Sequence, residues 1–409
     1  MRAALLLIVT SACYAQSFSQ RGFLETDLYL YPQTAVGDSG RAVSGALLNY
    51  EATYTPVPSL TISGGIDAQT DTHHEVERDF GLAWWDRDYQ RPAFAVKKLN
   101  LTYTRGPVTL ELGKQFIRWG KADILNPTDR FAPRDYLDVV RNDFLAVTAA
   151  RLTVGNQSNT LDFVFEPRLT PSRVPLLNQR WFVVPPLPLN AQVPIEDGGA
   201  DIPGGPQFGA RWNHIGRAAE FSFSFYDGYN HLPLVDPRFV SRRLQLYLNL
   251  KRQYPSMRMA GFDVTVPLRY FTVRGEAAYF TAPKKDADEY LIYVVQLERQ
   301  KGEWLFIGGY AGQYITVKRE TFDFAPDRGL TRAFLGHAGY TIGTHRSVGL
   351  EAAVRQDGKG VWVKLEYTQS FGDHWRVVPG LTWIHGEADD FLGQYHRNSY
   401  ASLAVRYSF

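Results

Sequence analysis

Alternation of apolar and polar residues with a period of two is the feature that most constrains how this chain can fold. The last such segment has its apolar residues at Ala401, Leu403, Val405, Tyr407 and Phe409. The same period recurs at 24–30, 46–54, 60–68, 221–225 and 361–367. Successive side chains of a β-strand point to opposite faces, so each segment predicts a strand with one apolar and one polar face.

Charged residues recur on the polar face, and aromatic residues make up 14% of the chain. A transmembrane barrel explains this mixture, because alternate residues of each strand face lipid and a wet lumen. Counting hairpins predicts an all-β, up-and-down antiparallel transmembrane barrel of about 18 strands, with about 16 as the alternative. A final strand that ends on Tyr407 and Phe409 is typical of the signal that the barrel assembly machinery recognises in bacterial outer-membrane proteins.

Short and long connections alternate along the chain, as up-and-down topology requires. The short ones lie near 56–59, 105–107, 156–159, 216–217, 267–269, 302–303, 344–346 and 372–374. The long ones lie near 70–93, 116–143, 167–206, 227–256, 282–289, 314–330 and 387–397. Outer-membrane barrels place their short turns in the periplasm and their long loops outside the cell. The strand-like residues 244–250 would break the alternation, so we interpret them as part of a hairpin above the membrane.

The N-terminus has the pattern of an export signal. Arg2 precedes the apolar stretch Ala3–Val9, and Ala15 is a small residue suited to cleavage. We therefore expect a signal peptide at 1–15 and a barrel domain at 16–409. Cleavage would remove Cys13, the only cysteine. Lipidation of Cys13 remains an alternative, because Thr10–Cys13 loosely resembles a lipoprotein box.

The densest charge cluster follows the fifth strand. Asn126-Pro127 and Ala132-Pro133 interrupt regular structure there and predict a shaped loop. A loop at this place can fold into the lumen and narrow it, and opposite charges across a pore favour small polar solutes. The expected constriction residues are Arg118, Lys121, Asp123, Asp129, Arg130, Arg134, Asp135, Asp138 and Arg141. An equally weighted alternative is that these charges pair and hold the loop against the wall.

This segment also resembles the signature of an uncharacterised, porin-like family of outer-membrane barrels. The residues that carry the resemblance are Gly113-Lys114-Gln115, Trp119-Gly120, Asn126-Pro127-Thr128-Asp129 and Pro133-Arg134-Asp135. The weaker stretch Arg274–Tyr279 fits the same family. The resemblance implies a porin-like barrel over most of the chain and adds little chemical detail.

Inward positions of other strands are expected to line the lumen. They are Glu25, Asp27, Arg274, Glu276, Arg355, Lys364, Glu366 and Arg406. Closure of the barrel should bring Arg406 near Glu25 or Asp27. Their mixed sign predicts neither strong cation nor strong anion selectivity.

The sequence favours a passive outer-membrane channel for small polar solutes, without enzymatic activity, metal or other cofactor. The expected partners are outer-membrane lipid, the assembly machinery and small solutes, and a net charge of +2 gives no support for nucleic-acid binding. The oligomeric state is left open.

A second hypothesis is a transporter or export conduit for a polysaccharide or lipid-like substrate, with Tyr29, Trp362 and Tyr400 as inner aromatic positions. A less favoured third hypothesis is an outer-membrane hydrolase. Its catalytic groups would be His385, Glu387, Asp389 and Asp390, or His337 and Ser370. A metal site at His73, His74 and Glu75 is similarly disfavoured.

Overall fold

The computed structural model describes residues 17–123, 125–177, 179–183, 193–242, 245–319, 322–323 and 325–409. Its dominant feature is one closed antiparallel sheet whose wall contains 18 spanning strands among these residues. The prediction of about 18 strands is therefore confirmed, and the alternative of about 16 is not. The expected signal peptide at 1–15 and Cys13 lie outside the described residues.

The wall strands are β1 (Ser17–Leu30), β2 (Ala42–Val57), β3 (Leu60–Asp71), β4 (Phe94–Arg105), β5 (Val108–Gln115), β6 (Val147–Gly155), β7 (Asn159–Glu166), β8 (Gln207–Ile215), β9 (Glu220–Tyr229), β10 (Ser256–Pro267), β11 (Thr272–Thr281), β12 (Glu289–Lys301), β13 (Trp304–Val317), β14 (Ala333–Ile342), β15 (Arg346–Arg355), β16 (Gly360–Phe371), β17 (Trp375–Gly386) and β18 (Tyr400–Ser408). Each pairs with its neighbour in chain order.

The barrel closes by pairing the first strand with the last. Phe23–Leu30 of β1 aligns antiparallel with Ala401–Ser408 of β18, which places Glu25 directly opposite Arg406. Closure satisfies the backbone groups that an open sheet would expose along its two edges. The even number of strands puts both ends of the barrel chain at the same rim.

Short turns gather at one rim, and most long connections gather at the other. All eight predicted short links join wall strands at what we call the turn end, and the long ones lie at the loop end. Residues 245–250 belong to a hairpin of strands Leu234–Arg242 and Gln245–Gln253 outside the wall, as expected, and residue 244 lies outside the described residues. One connection at the loop end, 356–359, is short and was not singled out by the sequence.

The long connections carry small elements of their own. Short strands lie at Leu82–Ala83, Arg134–Asp135, Asp143–Phe144, Ile195–Asp201 and Phe322–Asp323. A one-turn α-helix lies at Pro326–Gly329 and a 3₁₀-helix at Gly393–Asn398. No helix within the described ranges is both long and apolar enough to cross a membrane.

Burial follows the period-two pattern of the sequence. On β9, Phe223 and Phe225 point out of the barrel and are exposed, whereas the alternating Ser222 and Ser224 are buried inside. On β10 the inward Asp263 is fully buried. A wall that is apolar outside and polar inside suits a barrel with lipid outside and a polar lumen inside.

Candidate functional site

The segment between β5 and β6 lies inside the barrel where the structure describes it, at 116–123 and 125–146, and we call it the crossing loop. Near its start the indole nitrogen of Trp119 donates a hydrogen bond to Asp162 on β7, at 2.9 Å. Two residues later the Lys121 ammonium lies 2.7 Å from Glu220 on β9 and 3.2 Å from Asp263 on β10. The loop therefore follows the inner wall from β7 to β10 and descends toward the turn end.

Glu276 on β11 holds the lowest part of the crossing loop. One carboxylate oxygen accepts hydrogen bonds from the backbone N–H of Lys121 at 3.1 Å and of Ala122 at 3.2 Å. The other accepts from the backbone N–H and the hydroxyl of Thr128, each at 2.8 Å. A single wall carboxylate thus satisfies four donors of a segment that has no regular hydrogen-bonding pattern of its own.

Asp129 organises the turn from within the loop. Its carboxylate accepts the backbone N–H groups of Trp119 at 2.5 Å and of Gly120 at 2.6 Å. A side chain at Gly120 would meet Asn126 at 2.7 Å, so a close approach of the two ends of the turn requires glycine there. The Trp-Gly and Asn-Pro-x-Asp residues therefore shape the loop and bind it to the wall.

The far end of the crossing loop contacts the opposite side of the barrel. The Arg141 guanidinium lies 3.2 Å from Asp27 on β1 and stacks on the Tyr29 ring at 4.0 Å. Val139 packs with Tyr29 and with Tyr400 of β18 in one apolar cluster. Because β1 and β18 lie across the barrel from β9 and β10, the loop spans the lumen.

A buried ion network fixes the crossing loop to two other connections. Asp135 binds Arg91 at 2.8 Å and Arg173 at 3.0 Å. Arg173 also binds Asp86 at 2.7 Å, and Asp86 binds Lys114 at 2.6 Å. Burial alone would raise the pKa of Asp135, but Arg91 and Arg173 outweigh burial and lower it. The network ties the 72–93 and 167–206 connections to the crossing loop.

Asp138, three residues further along, has a different environment. Burial and then the negative charge of Glu75 raise the pKa of Asp138 to about 8, although Arg91 and two backbone N–H groups oppose this. Its carboxylate accepts the backbone N–H groups of Val140 and Arg141. The Arg141 guanidinium also lies 3.5 Å from this carboxylate.

The nine residues expected at the constriction fall into two groups. Arg118 and Asp123 are exposed to the lumen, and Lys121, Arg134 and Arg141 are partly exposed. Asp129, Arg130, Asp135 and Asp138 are buried. Arg134 stacks on Phe144 at 4.0 Å.

The residues expected to line the lumen all point inward, and most are paired. Arg406 binds Glu25 at 2.6 Å, Lys364 lies 3.0 Å from Glu366, and Arg274 lies 2.8 Å from Asp123. Arg355, near the loop end, binds Asp390 at 2.7 Å. Asp27 faces Arg141, and the crossing loop covers Glu276, leaving 2% of it exposed.

Two larger cavities lie inside the barrel, one near each end. A cavity of about 790 Å³ at the loop end is lined by apolar residues of the 167–206 connection, including Leu176 and Phe182, and by Arg332 and Arg355. A cavity of about 370 Å³ at the turn end is lined by the inward residues His337, Glu366 and Thr368.

Other candidate groups from the sequence have ordinary partners. His73 pairs with Asp38 at 2.8 Å, and Lys359 pairs with Glu387 and Asp389. His337 lies 3.7 Å from Glu351. Within the described ranges no three His, Cys, Asp or Glu side chains are grouped as metal ligands.

Sequence reasoning missed the residues that fix the crossing loop from outside it, chiefly Arg91, Asp162 and Arg173. Arg180 was missed as well: it is buried on the Tyr31 ring, and its guanidinium binds the side chain of Asn398 at 3.2 Å. The available signal was an arginine or aspartate that interrupts an otherwise apolar or Pro-rich stretch. That signal gives no information on the partner.

No family model matches the sequence, and a search of curated proteins finds no match. Among solved structures, the chain is similar to OccAB4 of Acinetobacter baumannii, with a TM-score of 0.55 and 10% identity over 97% of this chain and 99% of that chain. A BenF-like porin from Pseudomonas fluorescens Pf-5 gives a TM-score of 0.56 with 8% identity over 96% of this chain and 98% of that chain. OpdK of Pseudomonas aeruginosa gives a TM-score of 0.52 with 8% identity over 96% of this chain and 99% of that chain. At these identities the likeness establishes a shared architecture: this chain has the fold of outer-membrane porin barrels.

Proposed function

We propose that this chain forms a passive channel for small polar solutes in a bacterial outer membrane, with the crossing loop as its constriction. The observation that carries the proposal is the course of residues 116–146, which are held at β7 and β11 on one side and at β1 on the other. A loop so held narrows the lumen without depending on a ligand. The cavity near the loop end and the cavity near the turn end would serve as its entry and exit.

Selectivity then depends on the charges that the loop leaves accessible. Arg118, Asp123 and Arg141 keep accessible side chains, whereas Asp129 and Asp135 are used in holding the loop. The two interpretations of the charge cluster, constriction and wall anchor, therefore apply to different residues of one loop. Accessible charges of both signs favour polar solutes over apolar ones without strong preference for either ion.

The orientation, export and assembly of the channel belong to the same proposal. The loop end faces the cell exterior and the turn end faces the periplasm. Residues 1–15 act as a signal peptide, and residues 16–409 form the barrel. Tyr407 and Phe409 serve as the assembly signal; Phe409 exchanges backbone hydrogen bonds with Gly22 of β1. The chain belongs with porin-like barrels that carry the Trp-Gly and Asn-Pro-x-Asp segment.

The inner aromatic residues give less support to a polysaccharide or lipid conduit. Tyr29 and Tyr400 contact each other edge to face at 5.4 Å, and both are buried beneath Val139 of the crossing loop. Trp362 also packs against this cluster. Rings that are used in packing present no open stacking platform for a sugar.

The direct test is single-channel conductance of the refolded, full-length protein in a planar bilayer. Discrete, reproducible conductance steps in simple salt are expected. A correctly folded, heat-resistant barrel that shows no conductance would overturn the proposal, because it would mean that the crossing loop closes the lumen.

A further inference from the structure

A small cavity lies behind the crossing loop, separate from the two larger ones. It has a volume of about 120 Å³. Arg130 and Arg134 of the crossing loop line one side, and His231 from the β9–β10 connection and Asp327 from the one-turn helix line the others. This volume is equal to that of about four water molecules.

Arg130 is buried beside this cavity without a hydrogen-bond acceptor. Its Nε and Nη1 atoms are buried and have no hydrogen-bond partner within the described part of the chain. The nearest carboxylate oxygen, on Asp327, lies 3.8 Å from Nη1, which is too far for a hydrogen bond. The face of the guanidinium lies 5.0 Å from the centre of the Phe280 ring. A buried guanidinium in this state is strongly unfavourable unless another acceptor is present.

His231 adds a third donor to the same cavity. Ser172 accepts the backbone N–H of Arg134 at 2.9 Å, and its hydroxyl lies 2.9 Å from Nδ1 of His231. We assign Nδ1 as the acceptor of the Ser172 hydroxyl hydrogen, because a proton on Nδ1 would leave that hydrogen without an acceptor among the described residues. Burial, and then the charges of Arg130 and Arg134, hold the pKa of His231 well below its usual range. The ring is therefore neutral and its proton is on Nε2, which is buried and has no partner in the described chain.

The unpartnered buried atoms of Arg130 and His231 at this cavity are thus all donors. The carboxylates nearby do not supply the missing acceptor: Asp129 accepts the backbone N–H groups of Trp119 and Gly120, and Asp327 is beyond hydrogen-bond distance. We propose that the cavity binds a small oxyanion, of the size of nitrate or a short carboxylate, that accepts hydrogen bonds from Arg130 and His231. The proposal rests on the proposed function in that the site lies in the loop assigned as the constriction.

Such an anion would join three connections that are distant in sequence. Arg130 belongs to the crossing loop, His231 to the β9–β10 connection and Asp327 to the β13–β14 connection. A bound oxyanion would neutralise Arg130 and hold the crossing loop to the β9–β10 connection. Anion binding is then expected to stabilise the folded barrel, and the stabilisation should rise with the logarithm of the anion concentration once this exceeds the Kd.

The test uses the full-length protein refolded in detergent, with sodium nitrate and sodium acetate as probes. Calorimetric titration measures binding, and thermal unfolding midpoints are compared in nitrate and chloride at equal ionic strength. Arg130→Met removes the donors and keeps a side chain of similar length, and His231→Phe removes the third donor. Arg258→Gln is the control, because Arg258 is an exposed arginine of β10 that pairs with Asp227 and lies outside the cavity and the crossing loop.

Wild type is expected to bind about one oxyanion per chain, and either cavity variant should weaken binding about tenfold or more. The control should bind as wild type does. Arg130→Met should also gain less stability from nitrate than wild type does, so its unfolding midpoints in nitrate and in chloride should differ less.

Absence of heat with both probes, together with equal midpoints in nitrate and chloride, would overturn the proposal and leave water in the cavity. Binding that persists in both cavity variants would also overturn it. If Arg130→Met does not fold, His231→Phe decides the question alone. Conductance separates the two proposals. Protein that conducts ions but binds no oxyanion would disprove only this site. Protein that binds an oxyanion but shows no conductance would disprove only the channel.

Discussion

Replacing Glu276 with Gln tests the claim that one wall carboxylate holds the crossing loop. One Glu276 oxygen accepts the hydroxyl and backbone N–H of Thr128, and an amide oxygen can still accept these two hydrogen bonds. The other oxygen accepts the backbone N–H groups of Lys121 and Ala122. In the variant an NH₂ group replaces that oxygen, so donors face donors.

The cost can be worked out from these contacts. Hydrogen bonds to a charged group each contribute about 1.5–3 kcal/mol, so losing two costs roughly 3–6 kcal/mol. A neutral amide is easier to bury than a carboxylate, which favours the lower end, about 3 kcal/mol. A change of that size alters the ratio of attached to detached loop by about two orders of magnitude.

The assay is single-channel recording combined with limited trypsin digestion at Arg118 and Lys121. Glu276→Gln should give larger or noisier conductance steps and faster cleavage in the crossing loop, in a barrel that remains heat-resistant. Glu351→Gln is the matched control, because Glu351 also points inward but lies 3.7 Å from His337 on the β14–β15 side. Wild-type conductance and wild-type protection from trypsin in Glu276→Gln would refute the assignment of Glu276 as the loop anchor.

Three further predictions concern the accessible charges, the buried aspartate and the final strand. Exchanging Arg118 and Arg141 for Ser should shift reversal potentials toward cation selectivity, and Asp123→Asn should shift them the other way; unchanged potentials would mean that these side chains lie off the solute path. The folded-state pKa of Asp138 is raised to about 8, so burial of its charged form destabilises the folded state. This loss of stability grows as the pH rises from about 4 to 8 and reaches its full size above pH 8. Asp138→Asn should therefore raise the unfolding midpoint more at pH 9 than at pH 6, and an equal gain at both would contradict the raised pKa. Deleting Phe409 should lower the yield of heat-resistant barrel, measured by gel mobility, whereas Phe409→Trp should retain it; normal yields after deletion would disprove its role in assembly.

The wall of the barrel could be predicted from the sequence because its information is local. Each strand carries its own period of two, and each turn its own Gly, Pro or Asn residues, so strand number and connection order follow without knowledge of distant contacts. Even the approach of Arg406 to Glu25 or Asp27 follows, because closure fixes which strands meet, and the register then places Arg406 opposite Glu25. The sequence also allows residues 244–250 to be assigned to a hairpin outside the wall, because a wall strand there would disrupt the alternation of short and long connections.

The interior of the barrel could be predicted only in part. The Pro-rich, charged segment after β5 indicates a shaped loop, but its partners Asp162, Glu276 and Asp27 are on three different strands. Choosing them requires the depth to which the loop descends, which no local pattern encodes. Arg91 and Arg173 were missed for the same reason, because each is a single charge in a long connection until Asp135 comes between them.

The division of the loop charges into buried anchors and accessible residues follows from the cost of desolvation. A segment without regular structure leaves many backbone N–H groups to satisfy, and carboxylates are the acceptors that can each take several. Asp129 and Glu276 do this, and together they accept the backbone N–H groups of Trp119, Gly120, Lys121, Ala122 and Thr128. A carboxylate that accepts several backbone N–H groups holds a neighbouring cationic side chain less tightly. Arg118 shows the result: it lies 3.4 Å from Asp129, yet about half of its side chain is exposed to the lumen. The loop's own folding therefore supplies the accessible positive charge of the proposed constriction.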